Sequence, residues 1–277
     1  MPRNNQGRLD NKPESGAEVP PDNVNALLDF VTPTEFVELP TKGKFYSQDH
    51  PLHGVETVEI KYMTAKETDL LTSKTLLKKG VAIDRMLQSI LLDKSIKIPD
   101  LFIGDKNALL VAARVSGFGA SYDANITCKN CGTTGEQHFN LDEVEQKEVD
   151  KDIQFTENGT FFIDLPQSKL KAECRLLTGA DEDRLMLKTE KKRKLKLAES
   201  LLTDQLKLII VSLEGVTERG PVENFVDVMP AIDSNYLRKE YNRVKPDIDL
   251  SYDYDCESCG AINNVSIPFS TNFFWPE

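Results

Sequence analysis

The 277-residue sequence has no apolar run near the roughly 20 residues that a membrane-crossing helix needs. Residues Met1 to Pro21 are polar and hold no apolar leader stretch, so a soluble intracellular protein is expected. Basic residues are outnumbered, 34 to 45, giving a net charge of −11 and a pI near 4.9. A chain this acidic does not coat nucleic acid, because phosphate contacts need a basic surface. Histidine is scarce, at three, and tryptophan occurs once. No Gly-rich phosphate loop, Gly-x-Ser-x-Gly or His-Glu-x-x-His motif is present. An enzyme would have no residues to stand on, and none is expected. Five cysteines are too few, and too odd a number, for a disulfide scaffold.

Four of those cysteines form two identical spacings, Cys128-x-x-Cys131 and Cys256-x-x-Cys259, each followed by glycine. Each pair sits between short extended stretches. Two intervening residues let both sulfurs turn toward one ion, and the glycine permits a turn whose amides point at the thiolates. Two facing knuckles would make a closed four-thiolate site with no open position for catalytic water. The expected cofactor is therefore a structural zinc held by Cys128, Cys131, Cys256 and Cys259. The rivals are a redox dithiol or an iron–sulfur cluster. Two redox pairs between polar strands, neither opening a helix, fit less well than one ion. Cys256 follows Cys131 by 125 positions, whereas ribbons usually leave about 15–20 between pairs. A zinc ribbon can also serve nucleic-acid binding, and a zinc-ribbon regulator is the alternative function. Its flanks here carry Asp123, Glu136, Asp253, Asp255 and Glu257 against Lys129, which weakens that reading. His138, next to the first knuckle, is expected to contact a thiolate from outside. His50 and His53 read as a surface turn, and Cys174 as a buried structural thiol.

The fold expected is α+β, a helical core carried on short antiparallel strands and joined by the distant knuckles. Residues 1–34 read as a flexible arm. Residues 35–120 hold a strand–turn–strand and helices, 121–140 the first knuckle, 141–248 strands and a helical insertion. Residues 249–277 hold the second knuckle and an aromatic tail. Val58, Ile60 and Tyr62 alternate with polar neighbours as on a half-buried strand. Thr64 and Glu67 form a capping box, opening a helix expected to run to Gly80. Another helix is expected from the spacing of Ile83, Met86, Leu87, Ile90 and Leu91, and a third after Asp105. Ala172, Cys174 and Leu176 should share the buried face of a strand. Gly179 to Leu213 reads as helical, with one mostly apolar face through Ala198, Leu201, Leu202, Gln205, Ile209 and Leu213. Its basic block, Lys188 to Lys196, reads as a solvated face balancing Glu182 and Glu190, with a contact to an acidic partner or nucleic acid as the alternative. Ser234 should cap the last helix. Phe273, Phe274 and Trp275 form an aromatic cluster that should dock on something, the chain's own core by default, with a partner subunit as the sharper alternative.

Three stretches carry a resemblance. They are Leu39-Pro40-Thr41-Lys42-Gly43-Lys44-Phe45-Tyr46, Pro51-Leu52-His53-Gly54, and Val58 through Glu67. Leu76 through Asp84, Ile103 through Asn107, both Cys-x-x-Cys-Gly knuckles and the closing Phe-Phe-Trp-Pro extend it. Together they resemble the baseplate hub proteins of T-even-type contractile-tailed phages (myoviruses), over most of the chain beyond about Phe36. The resemblance implies a hub subunit or a hub assembly factor, not a catalyst. Its partners would be other hub or tail proteins, met in the host cytoplasm during assembly or in the tail baseplate of the virion.

Overall fold

The described residues open on a pair of short strands. The computed structural model describes residues 32–147, 153–267 and 273–274. Strand β1 (Thr34–Glu38) pairs antiparallel with β2 (Thr57–Lys61), placing Val37 opposite Val58. Both are buried, as is Ile60, as the alternation requires. Of the expected arm, residues 1–31 lie outside the described residues.

The capping box is present: Thr64 and Glu67 start α1 (Ala65–Thr72). The single helix expected to reach Gly80 is broken, because Ser73 turns to an extended ψ of 107° before α2 (Lys74–Lys78). The Thr72 hydroxyl donates back to the Thr68 and Asp69 carbonyls, the local competition by which hydroxyl residues end helices. Helix α3 (Ala82–Ile90) buries Ala82, Met86, Leu87 and Ile90. Helix α4 (Ile103–Phe118) starts earlier than expected and places Asp105 in its first turn. Asp105 is fully buried and accepts from the Thr41 amide at 3.0 Å, the Thr41 hydroxyl at 2.6 Å and the Tyr46 hydroxyl at 2.7 Å. It pins the turn after β1 onto α4. Gly104 makes a separate close contact, since a Cβ there would collide with the Pro246 carbonyl.

The first knuckle lies on a ribbon of β3 (Ser121–Thr127) and β4 (Thr134–Asn140). A short β5 (Glu145–Lys147) follows the ribbon. Next come β6 (Thr160–Asp164) and β7 (Lys171–Arg175), with Ala172 and Cys174 wholly buried and Leu176 nearly so. The helical stretch from Gly179 divides into α5 (Gly179–Lys194) and α6 (Leu201–Ile209). Lys196, at φ +53°, makes the break. Residues beyond Ile209 are a strand, β8 (Ile210–Leu213), not helix; it pairs with β7 in a sheet ordered β6-β7-β8. The β-branched pair Ile210-Val211 suits this extended conformation. The apolar face expected on the second helix is also corrected. Leu201 and Leu202 are exposed, while Asp204, Leu206 and Ile209 are buried.

Helices α7 (Arg219–Val228) and α8 (Ala231–Val244) follow. Leu237, Tyr241 and Val244 are buried as their spacing predicts, but Ser234 is not the cap: α8 starts three residues earlier. Asp233 in its first turn accepts the Gln167 and Ser168 amides at 2.7 and 2.9 Å. Strand β9 (Asp247–Asp249) pairs with β5, and β10 (Ser251–Asp255) pairs with β11 (Ile262–Ser266) around the second knuckle. The architecture is α+β: eight helices among the described residues, with short antiparallel strands.

Two apolar clusters result. One joins β1, β2, α1, α3 and α4 to Tyr122, Phe139, Leu250, Ile267, Phe273 and Phe274. The other packs β6, β7 and β8 against Leu206, Val222, Leu237 and Tyr241. In the first cluster, buried Arg114 donates to the carbonyls of Phe273 at 3.0 Å and Ser121 at 2.9 Å.

Candidate metal centre

Both knuckles are built alike. Cys128 N donates to Thr133 O at 2.9 Å and Gly132 N to Cys128 O at 2.9 Å. In the second, Cys256 N donates to Ala261 O at 3.0 Å and Gly260 N to Cys256 O at 2.7 Å. Gly132 and Gly260 take φ of +74° and +67°, which L side chains avoid. The two turns bring Cys128, Cys131, Cys256 and Cys259 together, all four sulfurs within 4.8 Å of one another. Cys128 Sγ stands 3.8 Å from Cys259 Sγ, and Cys131 Sγ 3.7 Å from Cys256 Sγ. A tetrahedral ion with metal–sulfur bonds of about 2.3 Å requires sulfurs about 3.8 Å apart. The donor set therefore fits a metal ion.

The surroundings favour thiolates. The Asn130 amide points at Cys128 Sγ from 3.4 Å. Asn263, buried on β11, donates its side-chain amide to the same sulfur at 3.3 Å and accepts the Lys129 amide at 3.0 Å. One side chain thus ties the second ribbon to the first knuckle. Amides of Cys131 and Asn130 hold the Cys128 thiol down at about 6. The Thr133 hydroxyl and amide lower Cys131 likewise. Backbone amides of Cys259 and Ser258 pull Cys256 down, but burial, together with crowding by Cys128 and Cys131, outweighs them and pushes it up to about 11. Like charges this close cannot all ionise unless a cation joins them. Tyr254, paired opposite Asn263, has a shielded hydroxyl with no hydrogen-bond partner among the described residues. Its pKa is raised by burial and then by the four sulfurs.

A cysteine clamp of this kind occurs in many folds and names none of them. The model of a family described as T4 bacteriophage base plate protein matches residues 32–275. The chain belongs to this family. No curated protein and no solved structure matches it. It is therefore a phage tail structural protein, and the clamp is a feature of a baseplate component. Among the described residues, no helix is long and apolar enough to cross a membrane.

The other sequence candidates fall elsewhere in this baseplate protein. Cys174 lies in the second apolar cluster, where burial pushes its thiol up. His138 does not touch a thiolate: its Nδ1 meets Asp123 at 2.6 Å on the exposed face of the ribbon. The carboxylate raises its pKa. His50 stacks on Tyr46, with ring centroids 4.3 Å apart, and His53 Nδ1 reaches the Tyr46 carbonyl at 2.7 Å. Two of the three aromatic residues of the tail face the chain's own core. Phe273 and Phe274 are each 1% exposed, packed on Tyr122 and Phe118. Arg114 fixes these two residues there by holding the Phe273 carbonyl. Trp275 lies outside the described residues. Asn263 and Tyr254 are the neighbours of the sulfurs that spacing missed; for Asn263 the available signal was the adjacent pair Asn263-Asn264 shortly after Cys259.

Proposed function

We propose that this baseplate protein works at the hub of a contractile tail, as a structural or assembly subunit acting by protein contact, and that its clamp holds zinc. The family match over residues 32–275 supports the tail role, and the hub motifs quoted above support the finer placement. The four-sulfur geometry carries the metal assignment. Zinc supplies a redox-inert tetrahedral centre to such a set, and four protein ligands leave it no open position for chemistry. The chain's own residues do the rest. The knuckle turns aim the sulfurs, and the Asn130, Asn263 and Cys131 amides offset their charge. Acidic Asp123, Glu136, Asp253 and Glu257 around the clamp speak against a phosphate-binding ribbon.

Elemental analysis of the purified protein tests the metal: one zinc per chain is expected, and iron or no metal overturns the assignment. Affinity purification from infected cells tests the role. A stoichiometric complex with hub or tail-tube proteins is expected, and recovery of the chain alone overturns it. Mass spectrometry of mature tails separates a resident subunit from an assembly factor that departs. A gel shift with DNA at low salt should show no binding.

A further inference from the structure

Helices α5 and α6 form a hairpin arranged inside out. Helical hairpins ordinarily bury leucines between their helices and leave charge outside. Here the carboxylate of Asp204 is buried between them. Lys188 Nζ holds it at 2.6 Å, Lys192 Nζ at 2.7 Å and Ser200 Oγ at 2.8 Å. The apolar side chains face out: Met186, Leu187, Leu195, Leu197, Leu201 and Leu202 are between 39% and 61% exposed. Beyond its first turn α5 buries nothing. So large an outward apolar set on a soluble chain marks a contact surface.

Charge says what kind of contact. Between Arg184 and Lys196 there are seven basic residues and one acidic, in a chain whose net charge is −11. Lys191, Arg193 and Lys196 form no ion pair among the described residues. We propose that the α5–α6 hairpin docks an acidic amphipathic segment of another tail protein, its apolar side chains on the leucines and its carboxylates on Lys191, Arg193 and Lys196. The proposal deepens the tail reading by naming a contact within it. A second copy would bring the same positive face and be repelled. Nucleic acid would leave the leucines unused, and the hairpin from Arg184 to Leu202 has no aromatic side chain on which a base could stack. A lipid surface selects helices whose basic and apolar faces are separate, whereas Lys196 stands between Leu195 and Leu197.

The test places a photo-crosslinking amino acid at Leu197 in the full-length protein during infection and maps the adduct to a residue. The expected adduct lies in a tail-protein segment that alternates acidic and apolar residues at helical spacing. Its yield should fall about tenfold in Lys191→Glu/Arg193→Glu and return when the facing carboxylates are reversed to lysine. Both changed residues are solvent-facing, and an unchanged circular dichroism spectrum and metal content show that the fold persists. An adduct to a second copy, to lipid or to nucleic acid overturns the proposal, as does no adduct. The tail reading fails separately, if the unaltered protein never associates with tail proteins. Full association of the charge-reversed variant sinks the hairpin alone.

Discussion

Replacing one clamp cysteine is the sharpest perturbation available. Cys256→Ser removes one of four ligands, leaving Cys128, Cys131 and Cys259 around a gap. The clamp joins positions 125 residues apart in the chain. Chain-entropy arithmetic for a cross-link closing a loop that long gives about 5 kcal/mol as an upper bound. Part of the loop is already closed through the core, where Leu250, Ile267 and Phe273 pack with Tyr122 and Phe139. An observed loss of about 2–4 kcal/mol is therefore expected, a large share of a domain stability of about 5–15 kcal/mol. In urea the unfolding midpoint should drop by about 1 M. A chelator should shift the unaltered protein the same way and leave Cys256→Ser where it is. Cys174→Ser is the control, since it must keep its metal. A Cys256→Ser protein that retains a full equivalent of tightly held metal, or a Cys174→Ser protein that loses it, refutes the ligand assignment.

Four further outcomes are expected. Tyr46→Phe removes a donor to buried Asp105 and strands the Phe102 amide, which the Tyr46 hydroxyl accepts at 3.1 Å. A loss of about 1–3 kcal/mol should appear in denaturant titration. Glu67 is pushed up by burial, but hydrogen bonds from Lys61, Ser89 and Thr64 outweigh this and hold it at about 2, against an ordinary 4.5. Its stabilisation is present above pH 4.5 and is lost as pH falls toward 2. Urea midpoints should lose about 1–2 kcal/mol over that window, and Glu67→Gln should flatten the dependence. Gly104→Ala drives a methyl into the Pro246 backbone and should cost about 3 kcal/mol or more, whereas Gly119→Ala, at φ +83° with open space, should cost about 1 kcal/mol in thermal melts. Asn263→Ala should weaken metal retention about tenfold in a chelator competition while leaving all four sulfurs in place, because it withdraws an amide from Cys128.

The parts of the fold legible in the sequence were those set by local pattern. Two-residue alternation identified β2 and β7, the Thr64–Glu67 pair identified the start of α1, and repeated Cys-x-x-Cys-Gly identified both turns of the clamp. What escaped was set by partners far along the chain. Asp105 looks like a residue preceding a helix, and only the folded turn at Thr41 and Tyr46 makes it a buried acceptor. The run from Gly179 to Leu213 has helical composition throughout. Its break at Lys196 and its switch to strand at Ile210 depend on Asp204 holding the two helices together and on β7 offering an edge. The tail residues Phe273 and Phe274 looked available to a partner because Arg114, which anchors them, lies some hundred and fifty positions earlier. Spacing showed which cysteines can meet; it is silent about the side chains, such as Asn263, that arrive from the opposite ribbon.

The distance between the two halves of the clamp also has a meaning in time. A ribosome making about 5–20 residues per second needs roughly 6–25 seconds to travel from Cys131 to Cys256. Throughout that interval the newborn β3–β4 hairpin carries two thiols without their counterparts, and the first apolar cluster lacks Ile267, Phe273 and Phe274. The polypeptide can mature only after its final stretch has emerged, so a prematurely released fragment would expose sulfur and unpaired aromatics together, a clear mark for quality control.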